Sequence, residues 1–289
     1  MLFRSEVDEL LERGRVLLAR AQSIGDPVRE LLLNARLFPA SLIAGHPDEA
    51  NAYAARTDAL VAELGARRPP WSRAGKCGIH RSSGDLEAAL GCYAEFEELA
   101  RVEQNPLHLL SFYRHSGEIW TMERRRYDKG HDFAKRGVAL SVRLDEWWNR
   151  VELKATLAVA SAGRGDLATA EDLLAEAKEG SGDVFAAMYA TYCRARVREL
   201  GGRLDEAETL YREAEDAFAA TGFRKMYWPG VIQLDHAELL LGMSRAAEAA
   251  AHVATAEQIL GTQRGERAAR IERIRASLAT PSAPRRSTY

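Results

Sequence analysis

The chain has 289 residues, 46% hydrophobic and 28% charged, with 40 basic against 42 acidic side chains and a formal net charge of -2. That balance excludes an intrinsically disordered chain and a strongly basic one that seeks nucleic acid. No apolar run approaches the roughly 18 to 20 residues that span a bilayer, and the opening residues lead into charged helix, not a signal-peptide core. The expectation is a cytoplasmic protein that contacts neither membrane nor nucleic acid directly.

Taken from the N-terminus, the first predicted element is the amphipathic stretch EVDELLERGRVLLARAQSIGD, which begins at Glu6 and ends beyond Gly25. The next helix carries Pro39, which should kink or shorten it because a proline ring blocks the helical hydrogen bond. Then a phrase begins that returns. GHPDEANAYAA starts at Gly45, and it is echoed by GDLEAALGCYAEF from Gly84, RRYDKGHDFA from Arg125, GDLATAEDLLAEA from Gly165, GRLDEAETLYREA from Gly202 and GMSRAAEAAAHVA from Gly242. The intervals are 39, 41, 40, 37 and 40 residues.

Five residues into each copy stands a small residue, namely Ala50, Ala89, Gly130, Ala170, Ala207 and Ala247. Small side chains there let helices approach closely, and the apolar positions three, four and seven residues further on make one helical face. A second set of glycines, Gly25, Gly65, Gly182, Gly222 and Gly261, closes helices at a similar step. Glycine just past a helix end suits a left-handed cap. Between the two sets lies another helix, as in VELKATLAVASAG from Val151 and VFAAMYATYCRARVREL from Val184.

Each unit is therefore helix A, a short turn and helix B, and the predicted fold is an all-α right-handed solenoid of about six antiparallel pairs. The units fall at 25–65, 66–105, 106–145, 146–182, 183–222 and 223–261. A capping helix over 264–279 completes a repeat domain of 1–279, and 280–289 is expected to be disordered.

Gly84-Asp85-Leu86 with Ala89, Gly165-Asp166-Leu167 with Ala170, and Gly202-Arg203-Leu204 with Ala207 resemble the helix-B signature of the tetratricopeptide-repeat superfamily. The period is near 40 instead of the usual 34 or so. This longer, degenerate form resembles the superhelical sensor domains of large bacterial LuxR-type transcription regulators. The resemblance implies an array that receives a signal or holds a protein partner in a superhelical groove. It does not extend to the ATPase or DNA-binding parts of such regulators, since no G-x-x-x-x-G-K-[ST] loop is present.

In such arrays the A helices line the concave wall. That places Trp71 and Arg81, His115, Glu152, Tyr189, Tyr192 and Arg196, and His236 in a candidate binding groove. Tyr189, Tyr192 and Arg196 stand at i, i+3 and i+7 on one helix, and aromatic rings beside a guanidinium suit a peptide, a carboxylate or a flat ligand. The alternative for the tyrosines is packing between repeats. Trp147-Trp148 and Tyr227-Trp228-Pro229 are expected to plug seams between units. The Arg124-Arg125-Arg126 run, with Lys129, Lys135 and Arg136, is interleaved with Glu118, Glu123, Asp128 and Asp132, so a solvated, salt-bridged turn is expected.

Three scattered cysteines, Cys77, Cys92 and Cys193, point to free buried thiols. Cys77, His80 and Cys92 lack the second half of a zinc site, and the pairs His115/Glu118 and Asp128/His131 are incomplete alone. Asp235-His236 has no nucleophile near it in sequence. No catalytic residue, cofactor or metal is expected. The favoured function is a non-catalytic scaffold that holds a protein or peptide partner, as the sensor or adaptor part of a bacterial regulatory system. The alternatives are a small-molecule-sensing module and an enzyme with its site in the groove.

Overall fold

In the computed structural model the described residues are 2–66, 70–179, 184–221, 223 and 226–279. They contain fourteen α-helices and no strand. Helix α1 (Leu2–Ser23) is followed by six antiparallel pairs: α2 (Pro27–Ile43) with α3 (Pro47–Leu64), α4 (Pro70–Ser82) with α5 (Leu86–Val102), α6 (Pro106–Glu118) with α7 (Tyr127–Arg143), α8 (Trp147–Gly163) with α9 (Leu167–Glu179), α10 (Val184–Leu200) with α11 (Leu204–Ala219), and α12 (Tyr227–Gly242) with α13 (Ala246–Leu260). Helix α14 (Gly265–Ala279) ends the described chain. The fold is an all-α solenoid.

Local sequence sets the helix starts. Asp26, Asp85 and Asn105 each accept a hydrogen bond from a backbone N–H of the first turn, and Pro27, Pro47 and Pro106 occupy positions where a missing N–H costs little. Pro39 lies inside α2, which nevertheless continues to Ile43, so the expected shortening does not occur. The turn from A to B has a left-handed residue in every unit: Gly45, Gly84, Arg125, Gly165, Gly202 and Ser244.

The last of these corrects the sixth copy. Its phrase begins at Ser244 instead of Gly242, and the buried small residue five further on is Ala249, whereas Ala247 is exposed. Glycine marks such turns only statistically; serine and arginine adopt the same backbone at a cost of about 1 kcal/mol. The B-to-A turns show the same substitution, with Gln104 and Asp145 left-handed where Gly25, Gly65 and Gly261 stand elsewhere. Gly182, Gly222 and the tail 280–289 lie outside the described residues.

The largest apolar cluster unites α8, α10, α11 and α12. It holds Ala155, Ala158 and Ala162 of α8, Met188, Tyr192 and Ala195 of α10, and the aromatic rings of Tyr211, Phe218 and Trp228. Tyr227-Trp228 thus fills the interior, while Trp147 is about half exposed at the start of α8; the Trp148 side chain lies outside the described set.

Cys77 and Cys92 are joined in a disulfide, and Cys193 is a free buried thiol. The expectation of free thiols fails for the first two because of pair geometry. Cys77 lies seven residues before Gly84 and Cys92 eight after it, so on antiparallel helices they stand level, with Cα atoms 5.3 Å apart. No described helix is long and apolar enough to cross a membrane.

The array also closes on itself. The Arg264 backbone N–H donates to the Ser83 carbonyl at 2.8 Å, and Gln263 Nε2 and Arg267 Nη1 donate to the Ser82 carbonyl at 3.2 and 3.1 Å. The C-terminal helix therefore seats on the turn of the second pair.

Candidate functional site: an interlocked inner wall and a basic cavity

Between α6 and α7 the helix widens into a π turn over Ile119–Glu123, with the Arg124 N–H donating to the Ile119 carbonyl at 2.9 Å. Hydrogen bonding between residues five apart brings Glu118 and Glu123 onto one side. Both reach the same guanidinium. Arg81 Nε donates to Glu123 Oε1 at 2.9 Å and Arg81 Nη1 to Glu118 Oε2 at 2.5 Å. The Arg81 guanidinium also lies over Tyr227 and Trp228, 5.0 and 4.8 Å from the ring centroids.

From this pair the contacts run along the inner wall. His115 Nδ1 is 3.6 Å from Glu118, and Arg114, bonded to the other ring nitrogen at 2.9 Å, donates to Glu152 at 2.6 Å. One turn beyond Glu152, Thr156 shares a 2.9 Å hydrogen bond with the Tyr189 hydroxyl. The Tyr192 hydroxyl donates to Asp235. Asp235 also accepts from Arg125 and Arg270, with Arg196 Nε 3.7 Å away. Glu123 meets Arg267 of α14 at 2.5 Å.

Most residues of the wall expected from sequence face partners across the solenoid instead of solvent. Arg81, Glu152, Tyr189, Tyr192 and Arg196 are buried, and His115 is nearly so. His236 is buried apart from the rest, in the seam between α11 and α13, where it stacks on Tyr211 and bonds Glu215. Trp71 is helical in α4, and its side chain lies outside the described residues.

The charges shift accordingly. Burial alone would raise the carboxyl pKa values of Glu118 and Asp235, yet Arg81, His115 and Arg114 hold the first, and Arg270, Arg196 and Arg125 the second, well below the usual range. Burial, reinforced by Arg114, lowers His115 to about 4. Desolvation raises Tyr93, stacked on His115 at 4.5 Å, to about 12.

Sequence reasoning missed the counterions: Arg114, Arg125, Asp235, Arg267 and Arg270. The available signal was a charged residue at an apolar-face position. Asp235 follows Val231 by one helical turn, and Arg267, Arg270 and Ile274 stand at i, i+3 and i+7 on the buried face of α14.

Accessible chemistry lies at one end of this band, in a cavity of about 1060 Å³. Trp120, Arg124, Arg125, Arg126, Lys129 and Arg164 line it, with Tyr127 and Gly163 at the side and Asp128 and Glu266 as its acids. A Cβ on Gly163 would sit 2.2 Å from the Tyr127 ring, so only glycine lets that ring lie flat there. The Tyr127 hydroxyl accepts from Arg196 at 3.3 Å and so links the cavity to the buried wall.

The expected salt-bridged turn is only half realised. Glu118 and Glu123 turn inward to Arg81 and Arg267. Arg124 pairs with Glu87 and Glu266, and Arg164 with Asp128 at 3.1 Å. Lys129 Nζ sits 4.3 Å from the Trp120 centroid, and neither Lys129 nor Arg126, both exposed, has a carboxylate partner among the described residues.

No protein-family model and no curated protein matches the chain. Solved structures do. A Rap protein in complex with competence and sporulation factor superposes with a TM-score of 0.63 at 12% identity, over 93% of this chain and 78% of that one. A tetratricopeptide-repeat protein from Parabacteroides merdae ATCC 43184 gives 0.53 at 14% identity, over 95% and 99%. The chain has the tetratricopeptide-repeat-like fold. The narrower resemblance to LuxR-type sensor domains is not carried by these neighbours.

Proposed function

We propose that the protein is a non-catalytic repeat scaffold that captures an acidic segment of a protein or peptide partner, as the sensor or adaptor part of a bacterial, cytoplasmic regulatory system. One observation carries the reading: an open cavity floored by an indole in which two cations, Arg126 and Lys129, have no carboxylate of their own. Unpaired cations beside an aromatic face suit carboxylates on an extended chain. The volume is too large for a single ion and close to the upper end of ligand pockets. The Rap protein of similar fold, solved with competence and sporulation factor, lends support by analogy of scaffold.

In this reading Arg81, Glu152, Tyr189, Tyr192 and Arg196 hold the frame, and the partner meets the frame's edge through Tyr127. The test is titration of the full chain with acidic peptides, followed by Trp120 fluorescence. Binding should weaken about tenfold or more in Arg126→Ala plus Lys129→Ala and fall steeply with salt. Equal affinity in that folded double variant removes the cavity from the function. Saturation by a small carboxylate, with no response to peptides, would replace the scaffold reading with a small-molecule sensor.

A further inference from the structure

The seam between the last two pairs contains a group that repeat packing does not require. Glu215 of α11, His236 of α12 and His252 of α13 each bring one ligating atom within 4.8 Å of the other two. Glu215 Oε1 is 2.8 Å from His236 Nδ1 and 3.4 Å from His252 Nδ1. Gln233 Oε1 lies 2.6 Å from the same His252 nitrogen. The two imidazole centroids are 4.0 Å apart, and Tyr211 stacks on His236 at 5.3 Å.

The group is rigid at the back and reachable at the front. His236 is fully buried, whereas Glu215 and His252 keep 14% and 22% of their side-chain surface. His236 Nε2 is buried with no hydrogen-bond partner, and Nδ1 is the ring nitrogen turned to Glu215. Most of the other buried positions of α11 and α13 are small or apolar, such as Ala207, Ala214 and Ala249. Two imidazoles gathered round one carboxylate make a donor set of different kind.

We propose that Glu215, His236 and His252 bind a divalent transition-metal ion, zinc being the best fit, with the Gln233 amide oxygen or solvent in the fourth position. Two nitrogens and one or two oxygens match the borderline character of zinc, while thiolates for copper(I) and an all-oxygen shell for calcium or magnesium are both lacking. Bonds of about 2.0 to 2.2 Å place tetrahedral donors roughly 3.4 Å apart, close to the 2.8 and 3.4 Å that separate Glu215 Oε1 from the two imidazole nitrogens. The ion would pin three successive helices.

The test uses the untagged full chain, stripped by chelation and titrated with zinc by calorimetry and with cobalt(II) by visible absorption. One equivalent should bind, cobalt should give the intense bands of tetrahedral coordination, and zinc should raise the melting temperature by several degrees. His252→Ala and the isosteric Glu215→Gln should each lose more than the roughly 100-fold that removal of an outer-shell partner costs. His131→Ala, a partly exposed histidine on α7, should bind as the parent does. Absence of binding to the parent chain, or undiminished affinity in a folded His252→Ala or Glu215→Gln, overturns the assignment.

Discussion

Asp235 gathers the Tyr192 hydroxyl and the guanidinium groups of Arg125 and Arg270, with Arg196 just beyond hydrogen-bond distance, and it has no exposed surface. Removing its charge strands cations that have been taken out of water. Asp235→Asn should therefore cost about 3 to 5 kcal/mol in urea unfolding, far more than an exposed pair such as Arg13 with Glu9. His115 makes a second prediction, with the opposite kind of group. Buried between Tyr93, Arg114 and Glu118, with Arg81 and Glu152 one contact further, it titrates near 4 when folded and near 6.5 when free. Between those values the unfolded chain takes up a proton that the folded chain refuses. Stability should fall as pH drops from 6.5 to 4, by about 2 to 3 kcal/mol, and return as pH rises. The midpoint of urea unfolding across that range should flatten in His115→Gln.

Among the elements, the helix pairs were legible because periodic apolar faces and turn glycines report local backbone preference. The copies starting at Arg125 and Ser244 were blurred for the same reason: there the left-handed backbone is carried by residues that do not advertise it. At Arg125 glycine would adopt the turn more readily but could not reach Asp235 and Glu238. The wall residues were legible as A-helix positions. Their burial was not, since it depends on the π turn, which leaves no periodic trace, and on where α14 docks, which its own periodicity does not tell. Gly130 belongs to the π turn's packing, as an added Cβ would stand 2.0 Å from Thr121 Oγ1. Gly130→Ala should cost about 1 to 3 kcal/mol by overpacking and disturb the Glu118–Arg81–Glu123 contact. The disulfide was legible only through pair geometry. Its loop of 15 residues implies about 3 kcal/mol of stabilisation, measurable as a lower melting temperature in a folded Cys92→Ala.

At the scale of the whole molecule, Gly84 is where α14 meets the turn of the second pair. It has a left-handed φ of +82°, and a Cβ there would also stand 2.8 Å from the Arg264 carbonyl. Gly202 has a similar φ of +75° and nothing within 4 Å of the same added atom. Gly202→Ala thus measures the backbone cost alone, about 1 kcal/mol. Gly84→Ala should exceed it and loosen α14, seen as faster amide exchange from 264 to 270; equal costs would mean that the seat is not held.

An open solenoid frays from its ends, because each unit leans only on its neighbours. Here the last described helix is hydrogen-bonded to a turn 185 residues earlier, so it is held by more than its neighbours. The described chain from the second pair to α14 should lose structure as a single cooperative block, and the loop-closure entropy spent in joining residues so distant should make it a slow folder for an all-helical protein.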